Sequence, residues 1–191
     1  MINLKKIIFK KTFFNVKKFF KIIKNYNSIL DYGCGIGVYQ NSNKKIFLYD
    51  KNKSVYKILK EKYQDKKNFK IIKKPIYKNI DVLLLNSCLQ YLNEKQFETL
   101  VKKIRNNFKI IVFSDIPKYP RVLEGIMLIF INPLRVFEFC KFSFNKNYHK
   151  LGFYYRNQDQ ILKSFKSYSF KKRENLNNEN FTRYTLILKR K

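Results

Sequence analysis

The chain has 191 residues, room for one domain of ordinary size and too little for two independent cores. Apolar residues make up 45% and charged residues 29% of it, and the two kinds alternate closely, which excludes a disordered polyelectrolyte and predicts a folded domain. Its 42 basic and 13 acidic residues leave a net charge of +29, which ordinarily points to nucleic acid or an anionic membrane.

Composition offers another account of that charge. Alanine and tryptophan are absent, whereas Lys (35), Ile (22), Asn (21), Phe (19) and Tyr (14) total 111 residues. All five have A/T-rich codons, so drift toward A and T accumulates surface lysine without selection for a polyanion. The same drift makes each of the five retained glycines informative. The cysteines, Cys34, Cys88 and Cys140, lie 54 and 52 residues apart, which fits neither a disulfide framework nor a CxxC metal site and suits a reducing cytoplasm.

Residues 1–25 hold eight lysines and no acid, with Phe13, Val16, Phe20 and Ile23 at helical spacing. This predicts a basic amphipathic helix, packed on the domain's own sheet or lying on an anionic membrane surface. Its apolar runs are too short for a signal-peptide core or a membrane span. Short apolar runs then predict strands at 28–32, 45–50, 69–73, 81–86 and 108–114, with helices at 36–42, 53–63 and 93–106. Strands separated by helices imply right-handed crossovers and a parallel sheet. A helix at 157–166, a strand at 167–174, a polar turn and a strand at 181–189 predict a closing antiparallel hairpin. The expected fold class is therefore α/β, a Rossmann-like open sheet, mostly parallel, with helices on both faces. The segment 115–155 holds three of the four prolines and the run GIMLIFINPL (125–134). At ten residues that run is too short to span a bilayer, which leaves a core helix, a substrate lid or a monotopic membrane contact.

The stretch Asp31-Tyr32-Gly33-Cys34-Gly35-Ile36-Gly37 places three of the five glycines within five residues, between an expected strand and an expected helix. Glycine is required where the backbone takes positive φ or where a ligand approaches closer than a Cβ permits. Such a turn, opening a helix, makes a nucleotide-like cradle at the carboxyl edge of a sheet. A dinucleotide fingerprint would put glycine at position 38, which is Val38, and no Gly-Lys-Ser/Thr follows for a Walker loop. The observed D-x-G-x-G-x-G, with Asp31, Gly33, Gly35 and Gly37, resembles the first motif of the class I S-adenosylmethionine-dependent methyltransferases.

That resemblance extends to two further segments. Asp50 ends the second strand, 19 residues beyond Asp31, where the family's acid accepts both ribose hydroxyls. The stretch 81–92, DVLLLNSCLQYL, resembles the family's fourth-strand segment, which implies Asn86 beside the cofactor and Gln90 or Tyr91 near the methyl group. One departure stands out: where many relatives carry an acid for the adenine amino group, this chain reads Lys73-Lys74-Pro75-Ile76. The NSCL sequence also lacks the Asn/Asp-Pro-Pro-Tyr/Phe motif of amino-methylating nucleic-acid enzymes and the Pro-Cys nucleophile of cytosine C5 enzymes.

The resemblance implies S-adenosyl-L-methionine as cofactor, no metal, and methyl transfer to an oxygen or nitrogen. For an oxygen acceptor a base must remove a proton; the candidates are Asp115, in SDIP after the fifth strand, and His149, the one histidine. SDIP also resembles small methyltransferases of polysaccharide and surface-glycan biosynthesis, whose acceptor would be a sugar group on a nucleotide-linked or lipid-linked glycan. The expected partner is accordingly a small molecule or glycan intermediate. RNA methylation, favoured by charge and tyrosine content, and a non-catalytic binding protein on the same scaffold are the alternatives.

Overall fold

Each apolar run read as a strand joins one sheet. The computed structural model describes residues 14–120, 122, 123, 126, 130, 154–174, 176 and 183–191. The strands are β1 (Ser28–Tyr32), β2 (Lys45–Tyr49), β3 (Phe69–Ile71), β4 (Val82–Asn86), β5 (Ile110–Pro117), β6 (Tyr168–Glu174) and β7 (Arg183–Arg190). The helices whose bounds fall among the described residues are α1 (Val16–Ile22), α2 (Val55–Tyr63), α3 (Glu94–Ile104) and α4 (Gln158–Lys163), and a 3-10 turn spans Leu89–Tyr91. The sheet runs β3-β2-β1-β4-β5-β7-β6. Neighbours from β3 to β5 pair in parallel, and β7 pairs antiparallel with both β5 and β6. The winding direction reverses between β1 and β4, so a crevice opens beyond their carboxyl ends, where open α/β sheets bind ligands.

Strand alternation divides the core in two. Ile29, Val82, Leu84, Ile110 and Val112 face one side with Phe19, Leu59 and Tyr63. Leu30, Leu83, Leu85, Ile111 and Phe113 face the other with Phe97, Leu100, Ile104 and Ile161. Thus α1 and α2 cover one face, and α3 and α4 the other. Of the basic helix expected over 1–25, the described part is α1, with Phe19 and the adjoining Ile23 fully buried. Residues 1–13, His149 and most of GIMLIFINPL lie outside the described residues. Among the described residues, no helix is long and apolar enough to cross a membrane.

The helix expected at 36–42 is not formed; this stretch is irregular. Only seven residues, Val38–Lys44, separate Gly37 from β2, and Tyr39 turns inward to full burial. Side chains from the far half of α2 and beyond satisfy the carbonyls that a helix would have paired internally. Lys62 Nζ donates to the carbonyls of Ile36 (3.2 Å) and Gly37 (2.5 Å), Tyr63 Oη to that of Tyr39 (2.8 Å) and Lys66 Nζ to that of Gln40. Backbone acceptors near a core need partners, and here these donors replace the i→i−4 ladder.

At the sheet's amino edge, Asp81 ties β1 to β4 and β5. Its carboxylate accepts from Asn27 N (3.0 Å), Ser28 N (3.3 Å) and Ser28 Oγ (3.1 Å), and Lys109 Nζ lies 2.7 Å away. At the carboxyl edge, Arg156 is only 4% exposed. It donates to the carbonyls of Leu89 (3.3 Å) and Leu92 (2.8 Å) and to Glu94 Oε2 (3.0 Å), with its guanidinium 4.5 Å from the Phe97 ring centre. Arg156 thereby fixes the 3-10 turn onto α3. Replacing it with methionine preserves much of the volume but removes the Arg156 donor from the Leu92 carbonyl and leaves the Leu89 carbonyl only its bond from Leu92 N, at a cost of about 1–3 kcal/mol. A urea midpoint for Arg156→Met equal to that of the wild type would refute this pinning role.

Candidate functional site

β1 delivers the chain into the glycine turn, and β2 holds the turn from the side. Gly33 N and Cys34 N both donate to the Tyr49 carbonyl, at 2.8 and 3.1 Å. Gly35 N donates to Asp50 Oδ2 (2.8 Å), while Asn52 N donates to Asp50 Oδ1 (2.7 Å). Gly33, Gly35 and Gly37 have φ of +77°, +53° and +69°, the left-handed region that side chains disfavour. A Cβ on Gly33 would stand 2.8 Å from Cys88 Cβ, and one on Gly37 would stand 2.6 Å from Tyr63 Oη. A Cβ on Gly35 would meet nothing within 4 Å. The flanking glycines are thus required by packing, whereas Gly35 adjoins open space beside Asp50.

Three polar side-chain atoms near this edge are buried without a hydrogen-bond partner among the described residues: Asp31 Oδ1, Asn86 Oδ1 and Gln90 Oε1. Asp31 and Asn86 sit toward the carboxyl ends of the adjacent strands β1 and β4. Buried polar groups are normally paired, and unpaired ones call for a reason. Burial drives the Asp31 carboxyl up to about 7, with the nearby Tyr39 hydroxyl opposing and the Asp50 charge adding to the rise. Burial also pushes the Cys34 and Cys88 thiols well above their usual range, so neither is suited to nucleophilic work. Both are free cysteines.

A second cluster lies where β4 and β5 end. Ser87 and Asp115 take φ of +53° and +60°, conformations that cost non-glycine residues about 1–3 kcal/mol and concentrate at functional sites. Ser87 Oγ donates to Asp115 Oδ2, and Arg183 donates to the Asp115 carbonyl (3.2 Å). A register irregularity in β5 between Phe113 and Ile116 turns Asp115 out of the ladder with β7. Next to Ser87, Gln90 and Tyr91 occupy the 3-10 turn, where Gln90 is 4% exposed and its carbonyl accepts from Tyr154 N (2.7 Å).

The sequence-derived residues therefore sort into three places. Asp31, Gly33, Gly35, Gly37, Asp50 and Asn86 border the ends of β1, β2 and β4; Asp115 meets Ser87 across β4 and β5; Gln90 and Tyr91 flank that pair. Ser87 was not singled out from the sequence, since neither residue type nor spacing marks it. A cavity of about 650 Å³ opens beside Asp50, between α2 and the ends of β2 and β3, walled by Tyr49, Tyr56 and five lysines. Among the described residues no three His, Cys, Asp or Glu side chains converge to hold a metal ion.

The residues fit S-adenosylmethionine at the carboxyl ends of β1 and β4. Asp31 and Asn86 offer unpaired acceptors to an ammonium or sulfonium, and each Asp50 oxygen keeps acceptor capacity for ribose hydroxyls. No family model and no curated protein matches the sequence, but solved structures do match the fold. Magnesium protoporphyrin IX methyltransferase from Synechocystis PCC 6803, with bound S-adenosylhomocysteine, superposes with a TM-score of 0.66 at 14% identity over 92% of this chain and 80% of that one. The N-methyltransferase NodS from Bradyrhizobium japonicum WM9 gives 0.60 at 8% identity over 95% and 98%. A TehB-like S-adenosylmethionine-dependent methyltransferase from Corynebacterium glutamicum gives 0.60 at 9% over 93% and 88%. The chain has the class I methyltransferase fold.

Two outcomes follow from this geometry. Gly37→Ala clashes with Tyr63 and lowers thermal stability, whereas Gly35→Ala meets only backbone strain of about 1 kcal/mol. Gly35→Ala is expected to keep the fold yet weaken S-adenosylhomocysteine binding at least tenfold in calorimetry. Between about pH 4 and 7 the folded chain retains an Asp31 proton that the unfolded chain releases, so this group makes stability fall as pH rises, by at most about 1.4 kcal/mol per pH unit. Asp31→Asn removes that contribution, so its unfolding free energy should gain on the wild type between pH 5 and pH 8; parallel urea curves at both pH values would contradict the assignment.

Proposed function

We propose that the chain is an S-adenosylmethionine-dependent methyltransferase acting on an oxygen or nitrogen of a small molecule or glycan intermediate. The observation that carries this reading is the pair of unpaired buried acceptors, Asp31 Oδ1 and Asn86 Oδ1, toward the ends of adjacent strands beside a glycine turn tied to Asp50. Leaving such groups unsatisfied costs about 1–3 kcal/mol each, a cost that a cationic ligand removes. The fold shared with methyltransferases agrees with this reading without selecting the acceptor.

The bound cofactor supplies an electrophilic methyl on a sulfonium, whose leaving group needs no further activation. The chain's remaining tasks are to hold the acceptor in line and, for a hydroxyl, to take its proton. Asp31 and Asn86 orient the cationic end, and Asp50 holds the ribose through its free lone pairs. Asp115, fixed by Ser87 Oγ and displaced from the β5 ladder, is the group available to accept a proton at the acceptor side, and Gln90 and Tyr91 position the acceptor. His149 lies outside the described residues, and its assignment rests on sequence alone. The expected location is cytoplasmic, with peripheral contact at an anionic membrane if the acceptor is lipid-linked.

Transfer of labelled methyl from S-adenosylmethionine into fractionated cell extract tests the reading, with label expected in a small-molecule or glycan fraction; label confined to RNA would overturn it in favour of RNA methylation. Asp50→Ala should abolish measurable S-adenosylhomocysteine binding by calorimetry in a chain that still melts cooperatively. Asp115→Asn should keep that affinity within twofold while slowing transfer to an oxygen acceptor by about 100-fold or more; an unchanged rate would remove Asp115 from the reaction.

A further inference from the structure

The cavity beside Asp50 carries a charge that the proposed cofactor does not need. Lys51 follows β2, Lys53 lies in the turn leading to α2, Lys57 and Lys60 are on α2, and Lys73 follows β3. Lys57 and Lys60, three residues apart, share one face of α2, and Lys53 lies in the turn just before that helix. Among the described residues none of the five makes an ion pair. The one carboxylate in the lining, Asp50, already accepts from Gly35 N and Asn52 N. S-adenosylmethionine has a net positive charge at neutral pH, so five uncompensated ammonium groups oppose its approach. All five are exposed, and composition accounts for surface lysine in general; it is their grouping around one cavity with a single carboxylate that an anionic ligand explains.

The volume of about 650 Å³ lies in the range of small-ligand pockets, about 300–1,000 Å³, and suits a nucleotide better than an extended polymer. Tyr49 and Tyr56 present aromatic surface next to the lysines, and the Tyr56 hydroxyl is fixed by donation to the Ile72 carbonyl at 2.5 Å. Ammonium groups act as point charges toward phosphate, whereas flat bidentate recognition of a carboxylate belongs to arginine, and the lining contains none. We propose that this cavity binds a nucleoside diphosphate or the nucleoside-diphosphate end of a larger molecule, the base against the tyrosines and the phosphates against Lys53, Lys57 and Lys60. Asp50 borders both this cavity and the proposed cofactor crevice, so the two ligands would share that residue; the proposal itself stands on the cavity and its charge, not on methyl transfer.

The test is calorimetry on the full chain at 50 mM and 200 mM salt, with adenosine, AMP, ADP, UDP, pyrophosphate and S-adenosylhomocysteine as separate probes. ADP or UDP should bind at least tenfold more tightly than adenosine, and the difference should shrink at the higher salt concentration. Lys57→Gln with Lys60→Gln should weaken ADP or UDP at least tenfold and leave adenosine within twofold. Lys17→Gln with Lys21→Gln, removing equal charge from exposed positions on α1, should leave nucleotide binding within twofold. Exposed Lys→Gln changes alter stability by about 0.5 kcal/mol or less, so both pairs will fold, as matching melting curves would verify. Equal affinity for adenosine and both diphosphates, or equal losses in the two double variants, would overturn the proposal. So would binding of a uridine decamer lost in the α2 pair while ADP and UDP show none, which would make these lysines a single-stranded RNA contact. Failure of S-adenosylhomocysteine to bind while a diphosphate binds would overturn the cofactor reading and leave this one standing.

Discussion

The hydrogen bond from Gly35 N to Asp50 Oδ2 sets the geometry of the carboxyl edge. It fixes the free middle of a turn whose two ends are already jammed, one against Cys88 and the other against Tyr63. Because Tyr49 lends its carbonyl to Gly33 and Cys34, two consecutive residues of β2 and its end control the whole turn. Register follows from this: β1 pairs with β2 from Ser28 to Tyr32, so the turn must leave β1 level with Asp50. A slip of one residue would send Asp31 to the opposite face and part the turn from its carboxylate.

A parallel pair needs a crossover of about a dozen residues, usually containing a helix. The β1–β2 connection stays irregular, and α2 supplies its missing order. Lys62, Tyr63 and Lys66 donate to the carbonyls of residues 36, 37, 39 and 40, while Tyr63 stacks on Phe69 with ring centres 4.6 Å apart. The same helix thus braces the turn with its last residues and lines the cavity with Lys57 and Lys60. A change at the cavity side of α2 is therefore mechanically close to the glycine turn.

The central strands were legible because each is a short apolar run with most of its residues buried, and the glycine turn because glycine is scarce in this composition. The helix expected at 36–42 does not form, because the partners that settle the conformation of this stretch lie at the end of α2 and just beyond it, more than 20 residues away. Ser87 was invisible for a related reason. Its significance comes from a left-handed backbone and from Asp115, 28 positions later, and neither appears in local pattern. Arg156 is similar, a charged residue whose burial depends on the carbonyls of Leu89 and Leu92. By contrast, the lysines where an adenine-binding acid was expected were visible in the sequence, and the cavity gives Lys73 a place.

Two aspartates at opposite ends of the strands separate scaffold from site. Asp81 is surrounded by donors: burial raises its pKa, but Lys109, the Asn27 amide and Ser28 outweigh that effect and hold it below the usual range. Its contribution to stability is present at neutral pH and lost on acidification. Asp31 has only the Tyr39 hydroxyl to oppose its burial, is 2% exposed, and is raised to about 7, so its charge weakens the fold as pH rises. Compositional drift accounts for abundant lysine on a surface; it does not account for a carboxylate kept in the core without a cationic partner. A fold gains nothing from that arrangement by itself, since asparagine would occupy the position at less cost. The negative charge at Asp31 has a physical use only when something positive comes to lie against it.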